Sequence, residues 1–449
     1  MTNEKMLKEA PIGKLLLTMS LPVVVAMLVT VLYNMADVFF MGRTGETMQV
    51  AAISLAGPVF SAVSTLNTLI GFGSCTAISI ALGKNDVRLA KTYSSFAFYA
   101  SVLLGVAVMI VILFGMQPLL SLLGTDVQTV KFTADYLRIL AFGAPFMTVG
   151  GAMANTVRAD GDSKSAMLAT LVGTTVNILL DPLLISVLHW GVKGAAAATV
   201  IGNLFSCVIL FFVLQKKNIY SLSVRDFSAR RSVSFRIIGL GLPMAAGTAL
   251  TSISSAMANR LLMQHGNLAV AANGVSGKAG MLVSMLLMGI CMGMQPAISY
   301  AYGARDQKRL RQIVHGTGIA AISTALLLSV SLFLARESFV AFFLNDDSVI
   351  SMGKRFVTGA LVSMPVCAIY QLCATYLQGT GKISYATLAS LLRQGIVYTP
   401  VLFGMHALFG LTGLIYAGAV SDLLSTMTGL MLCIAWSRRM LSELDVCAE

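Results

Sequence analysis

The sequence predicts an all-α integral membrane protein, with twelve transmembrane helices in two pseudo-symmetric six-helix lobes around a central cavity. Three observations carry that prediction. Of 449 residues, 57% are hydrophobic and 11% are charged, with a mean hydropathy of +0.82; a soluble domain carries about 25% charged residues. Uncharged apolar runs recur along the chain, among them 92–125, 237–259, 279–304, 312–335, 356–381 and 394–421. The second half of the chain also repeats the first. So few charges cannot solvate a soluble surface of this size, which excludes a soluble enzyme, a disordered regulator and a nucleic-acid-binding protein. The net charge of +12 is instead the signature of basic loops on the cytoplasmic side.

A helix crosses the hydrocarbon core with about 20 apolar residues. Dividing the chain at charged and Gly/Pro/Asn-rich breaks gives spans near 13–41, 50–82, 92–115, 136–157, 165–188, 194–214, 237–263, 270–302, 312–335, 355–377, 384–407 and 411–436. The first span follows a polar start without a small-residue cleavage site, so no cleavable signal peptide is expected. With both termini inside, most of the 31 Lys and Arg residues fall on cytoplasmic segments. The strongest contributor is the middle loop, where Lys216, Lys217, Arg225, Arg230, Arg231 and Arg236 face Asp226. The expected organisation is a first lobe at 1–215, a basic inter-lobe loop at 216–236 and a second lobe at 237–449, in a bacterial inner membrane.

The repeat holds register for long stretches. From Val50 to Asp86 the match runs at a constant offset of 220: Val50-Ala51-Ala52 on Val270-Ala271-Ala272, Gly73 on Gly293, Ala77-Ile78-Ser79 on Ala297-Ile298-Ser299, Gly83 on Gly303 and Asp86 on Asp306. Pro145 falls on Pro365, Gly161 on Gly381, and Gly191 with Gly194 on Gly410 with Gly413. Apolar composition alone does not keep register through a glycine-and-aspartate loop. Six spans per unit is even, so the repeat is parallel, with its pseudo-two-fold axis along the membrane normal.

Within the spans, ionisable side chains cost about 2.5–3.5 kcal/mol each and call for a partner or a role. Asp37 lies 15 residues past Pro22, and Asp181 lies 16 past Ser165. At 1.5 Å per residue both acids stand about 22–24 Å from the cytoplasmic side. Thr199 descends to a similar level, and Asn177 lies one turn before Asp181 on the same face. Two carboxylates, an amide and a hydroxyl at one depth suit a small hard cation, and Asp181-Pro182 frees carbonyls by breaking the helix ladder. Two close acids away from water cannot both ionise cheaply, so the pair can also exchange a proton. The alternative is that Asp37 and Asp181 are separate helix–helix hydrogen bonders. In the second half Asn259 and Thr399-Pro400 stand in their places, which puts ion coupling in the first lobe.

The second lobe has its own charges, Lys278, Arg393 and Asp422; Asp422 neutralises Arg393 or Lys278, or contacts substrate. Met281, Met285, Met288 and Met292 step along one face of span eight. They form either a pliable cavity wall or a packed or lipid-facing stripe. Cys75, Cys207, Cys291, Cys367, Cys373 and Cys433 lie in apolar runs and the four histidines are scattered, with no disulfide or zinc spacing. No phosphate-binding loop, zinc-protease motif or nucleophile elbow occurs. The protein is therefore not expected to be an enzyme or to use ATP or any other cofactor.

Two six-span halves, the Asn34/Asp37 pair, Arg158-Ala159-Asp160-Gly161 after span four and Asn177-Ile178-Leu179-Leu180-Asp181-Pro182 in span five together resemble the multidrug and toxic compound extrusion (MATE) family, of the DinF-type bacterial branch. The resemblance covers residues 10–436. It implies export of cationic and amphipathic drugs in exchange for inward H⁺ or Na⁺ by alternating access. It further implies a cation site at Asp37, Asn177, Asp181 and Thr199, and a cavity lined by Asn155 near the Asn34/Asp37 pair; the four methionines are candidates for the same substrate cavity from their spacing alone. The expected partners are small molecules and membrane lipids, with no nucleic acid and a monomeric chain. A buried span-seven acid of the other bacterial branch is missing from Ser252–Asn259. The alternative reading is a lipid-linked oligosaccharide flippase of the same broad superfamily, which needs a large cationic cavity.

Overall fold

A computed structural model of the protein describes residues 3–43, 46–343 and 347–445. The side chains of 34–38, 42–43, 47, 267, 343, 347–349 and 440–445 lie outside the described residues. Among the described residues the chain is helical, without strands. Eleven stretches are long and apolar enough to cross a membrane.

The first six crossings are α1 (Ile12–Arg43), α2 (Thr47–Gly83), α3 (Val87–Phe114), α4 (Val130–Arg158), α5 (Ser163–Asp181) and α6 (Val192–Gln215). The later ones begin with α7 (Arg231–Met263), α8 (Asn267–Gly303) and α9 (Gln307–Leu334). Asp347–Val362 and Met364–Gly379 together make α10, followed by α11 (Ile383–Leu391) and α12 (Tyr398–Asp445). The last continuous stretch, Ile383–Arg439, has 57 residues, twice what one crossing needs. It is broken at Gly410, whose φ of 56° and ψ of −131° are non-helical. Two arms meeting there supply spans eleven and twelve, so the twelve expected crossings stand.

Gly191, at the start of α6, has φ 53° and ψ −128°, the same conformation as Gly410 to within a few degrees. Only glycine adopts it without strain. The repeat carries over to other turns. Asn85 and Arg305 are left-handed at φ 58° and 56°, and Gly161 and Gly381 have φ 91° and 71°. α3 and α9 both run for 28 residues from an aspartate cap.

Contacts divide the chain into two compact units, Met1–Ala10 with Leu17–Gly241 and Gly303–Arg305, and Pro11–Leu16 with Leu242–Tyr302 and Asp306–Glu449. In the first, small residues let helices approach: a Cβ on Gly105 would lie 2.5 Å from Pro145 Cα. The basic segment after α6 folds onto α3 instead of running free. Ser94 Oγ and Ser95 Oγ donate to the carbonyls of Ser221 and Ser223 at 3.2 and 2.8 Å, and Tyr99 Oη to that of Leu222 at 2.9 Å. Phe227 stacks on Phe96 and meets Tyr99 edge-on. In the second unit the core is built on Val275, Ala279, Val283, Leu287 and Cys291 of α8 with Ala321 and Ala325 of α9.

Candidate functional site

Span five is the element that builds the site. Thr170, Thr174, Asn177 and Asp181 recur at three- or four-residue intervals and therefore share one face of α5. Facing them on α6 are Thr199, Asn203 and Ser206 at the same spacing. The two helices approach closely through glycine. A Cβ on Gly173 would lie 2.5 Å from the Gly202 carbonyl oxygen, and one on Gly202 would lie 2.5 Å from that of Gly173 and 3.0 Å from Asn177 Cβ. Ser206 Oγ donates to the Ala169 carbonyl at 2.6 Å, and Asn203 Nδ2 to that of Thr199 at 2.8 Å. After Asp181 the helix widens into a π turn over Pro182–Val187. Proline donates no N–H, so the ladder must re-pair there.

α2 and α4 interlock in a similar way. Asn155 of α4 sits over Gly71, where a Cβ would come within 2.6 Å of its Nδ2, and Asn67 of α2 sits over Gly151. Asn155 Nδ2 donates to the Gly151 carbonyl at 2.9 Å, and its Oδ1 accepts from Arg158 Nη1 at 3.1 Å.

These faces enclose a cavity of about 410 Å³ in the first unit, lined by side chains of α1, α2, α4, α5 and α6. Asn67, Asn155, Asn177, Thr199 and Arg158 are among its walls, with Thr30 and Tyr33 from α1. Among the described residues Asn67 Oδ1, both polar atoms of the Asn177 amide and Arg158 Nε are buried without a hydrogen-bond partner. Buried polar groups are almost always satisfied, so this wall is prepared for water, an ion or a solute.

Of the four residues expected to hold a cation, Asn177 and Thr199 both line this cavity and are each 3% exposed. Asp181 is fully buried one turn beyond Asn177 and is not among the described lining residues. Asp37 and Asn34 fall on α1, and their side chains lie outside the described residues. Asn155, a candidate cavity residue, is in the wall. Sequence reasoning had not placed Arg158, Asn67, Asn203 or Tyr33 there. The polar stripes of α5 and α6 were nonetheless legible at the same spacing as the methionine stripe.

In the second unit Met285, Met288 and Met292 are half-buried and Met281 is exposed, on the side of α8 away from the core residues Val283, Leu287 and Cys291. Arg393, in a π turn over Leu392–Val397, pairs with Asp422 at 3.0 Å, stands over the Tyr370 ring at 4.7 Å and donates to Cys367 Sγ. Asp422 therefore pairs with Arg393. Below the first-lobe cavity, Lys217 bridges Asp160 and Asp162 at 2.8 Å each. Burial alone would raise the Asp162 carboxyl; the bonds from Lys217 and the Ser165 N–H outweigh it and hold it below its usual range.

Comparison with known proteins agrees with this architecture. The multidrug export protein MepA of Staphylococcus saprophyticus is 28% identical over 426 residues, covering 95% of this chain and 94% of that protein. MepA of Staphylococcus aureus matches at the same identity and coverage. Among solved structures, a MATE transporter crystallised with MaL6 superposes with a TM-score of 0.91 at 23% identity, covering 99% of this chain and 100% of that one. A MOP superfamily transporter from Pyrococcus furiosus gives 0.88 at 24% identity over 98% of each chain. The MatE family model matches residues 22–183 and 243–403, one copy in each half. With both halves matched and the whole fold shared, this chain is a multi-pass membrane protein of the MatE family, a transporter and not an enzyme.

Proposed function

We propose that this protein is a secondary active antiporter that exports cationic or amphipathic compounds in exchange for H⁺ or Na⁺, with the coupling cation held at Asp37, Asn177, Asp181 and Thr199. The observation that carries the reading is the unsatisfied amide of Asn177, in the cavity wall and one turn from the fully buried Asp181. An amide oxygen and a carboxylate on adjoining turns of α5, with the Thr199 hydroxyl on the facing α6, form an oxygen set for a hard cation. The same carboxylate can take up a proton instead. The multidrug export function of the MepA relatives supports the substrate class. Basic loops place both termini in the cytoplasm.

The π turn after Asp181 supplies a mechanical link. Charging or neutralising the carboxylate changes the electrostatic cost of its burial, and the adjoining turn is already unpaired from the regular ladder. A cation entering from outside then favours the state that releases the drug outward, and drug entering from inside favours release of the cation. One-for-one exchange with a monovalent cationic drug moves no net charge and gains nothing from the roughly 2.3 kcal/mol available per 100 mV. The cation's concentration gradient or a second cation must supply the roughly 1.4 kcal/mol that each tenfold drug gradient costs.

Efflux of a fluorescent cationic dye from energised vesicles tests this reading. Asp181→Asn and Asp37→Asn are expected to abolish gradient-driven efflux while the purified variants stay folded. Normal pumping by both overturns the site. Imposing a Na⁺ gradient or a pH gradient alone separates the two ions. Transbilayer movement of a lipid-linked sugar without dye efflux would favour the flippase; among the described lining residues Arg158 is the one cation, too little for a pyrophosphate.

A further inference from the structure

The repeat leaves one face of α3 covered in the first lobe, while among the described residues much of the matching face of α9 lines a groove. On α3, Lys91, Ser94, Ser95 and Tyr99 form the face onto which residues 221–227 fold, and Ser94 and Ser95 are 1% and 0% exposed. At the offset of 220 these positions become Arg311, Val314, His315 and Ile319 on α9. The three hydroxyls that bind the covering segment are gone, replaced by an imidazole and two aliphatic side chains, while Lys91 is answered by another cation, Arg311. What meets the face differs as well: α6 ends at Gln215 and the chain turns back onto α3, whereas α12 continues as helix to Asp445, and at Gly316, which matches Phe96, α9 meets Ile12 instead.

A groove of about 660 Å³ runs along this face, within the second unit, between α9, α10 and α12. Its composition is graded along its length. Arg311 and His315, one turn apart near the start of α9, stand at one end, with Tyr376 and Ser437 beside them. Val314, Ile319, Ile322, Leu372 and Leu430 line the rest. Arg311 and His315 are exposed and make no hydrogen bond or ion pair among the described residues. From Gln307 to Ile322 the α9 wall is about 22 Å long, comparable to one leaflet with its headgroup layer.

We propose that this groove is a binding site for an anionic phospholipid of the cytoplasmic leaflet, with an acyl chain along the aliphatic wall and the phosphate on Arg311 and His315. Charge complementarity selects the occupant. Basic pockets between transmembrane helices at the cytoplasmic side recognise anionic headgroups, and the cationic end here is the end that also carries the α8–α9 loop and the α12 terminus. The leaflet assignment rests on the cytoplasmic placement of the termini proposed above; the site itself does not depend on transport. The groove size is in the range of roughly 300–1,000 Å³ typical of small-molecule pockets. A zwitterionic lipid would satisfy the apolar wall but leave its own cation beside the guanidinium.

Native mass spectrometry of the detergent-purified full chain tests the site, using phosphatidylglycerol and phosphatidylcholine with identical acyl chains. Wild type is expected to hold one phosphatidylglycerol tightly and to prefer it over phosphatidylcholine. The double variant Arg311→Ala/His315→Ala should lose that preference, with phosphatidylglycerol retention falling roughly five- to tenfold. Ile319→Trp, which fills the groove and leaves Arg311 and His315 in place, should reduce retention of both lipids. Unchanged phosphatidylglycerol retention in either variant, or equal retention of the two lipids by wild type, overturns the proposal. No drug or ion gradient enters the measurement, so its failure is distinct from a failure of the antiport reading.

Discussion

Asp86 and Asp306 cap their helices with the same bond: each Oδ1 accepts the backbone N–H three residues on, Leu89 and Arg309, at 2.9 Å. The equivalence shows that the repeat preserves hydrogen-bond chemistry as well as hydropathy. Asp86→Ala and Asp306→Ala should each cost about 1 kcal/mol, read as a lower midpoint in thermal unfolding of the purified protein. Asparagine at either position should retain most of that.

Gly191 and Gly410 share one backbone conformation but differ in surroundings. A Cβ at Gly410 meets nothing within 4 Å, whereas one at Gly191 collides with Gln49 Oε1, the acceptor of the Val192 N–H. Gly410→Ala should therefore cost only the backbone strain, about 1–3 kcal/mol, and Gly191→Ala distinctly more. Equal losses in thermal unfolding would show that the side chain of Gln49 yields freely.

The glycine contact between α5 and α6 fixes the separation of Asn177 from Thr199. Gly202→Ala places a methyl against the Gly173 carbonyl and Asn177 Cβ, so the helices must part by several tenths of an ångström. Dye efflux should fall at least tenfold, while Gly404→Ala, where a Cβ meets nothing within 4 Å, should pump normally.

Arg393 and Asp422 are a largely buried pair, with side chains 20% and 14% exposed. Removing one partner strands the other: Asp422→Asn should destabilise by about 3 kcal/mol. The double change Arg393→Met/Asp422→Leu should recover much of the loss, and a double-mutant cycle on unfolding midpoints measures the coupling.

Asp162 binds its proton less readily in the fold because of Lys217 and the Ser165 N–H. A depressed carboxyl contributes stability that is present above its unfolded value, about 3.9, and is lost as pH falls through the folded one. Lys217→Met should lower stability at neutral pH by about 1 kcal/mol, since the pair is partly solvated. It should also flatten the stability–pH curve below about pH 4.

Much of the site was readable as spacing. Asn177 and Asp181 share a face because four residues make roughly one turn, and Asn155 lines the cavity wall. Asn203 lies on the polar stripe of α6 and Arg158 one turn past Asn155, whereas the place of Asn67 is set by a contact between helices distant in sequence. Asn67 reaches it over Gly151, and Asn155 over Gly71, pairings that no local pattern encodes. The eleventh and twelfth spans merged into one helical stretch for a local reason: Gly410 kinks the chain without opening a loop.

Hydropathy and register by themselves determined the class, the twelve crossings and the two-fold repeat, because a bilayer leaves the backbone few ways to satisfy its hydrogen bonds. Tertiary structure alone decided which polar side chains share a cavity, that Asp422 belongs to Arg393, and that residues 221–227 seal α3 while the matching face of α9 lines a groove. Those outcomes depend on close packing between helices far apart in sequence, where a missing Cβ or a single hydroxyl sets the distance.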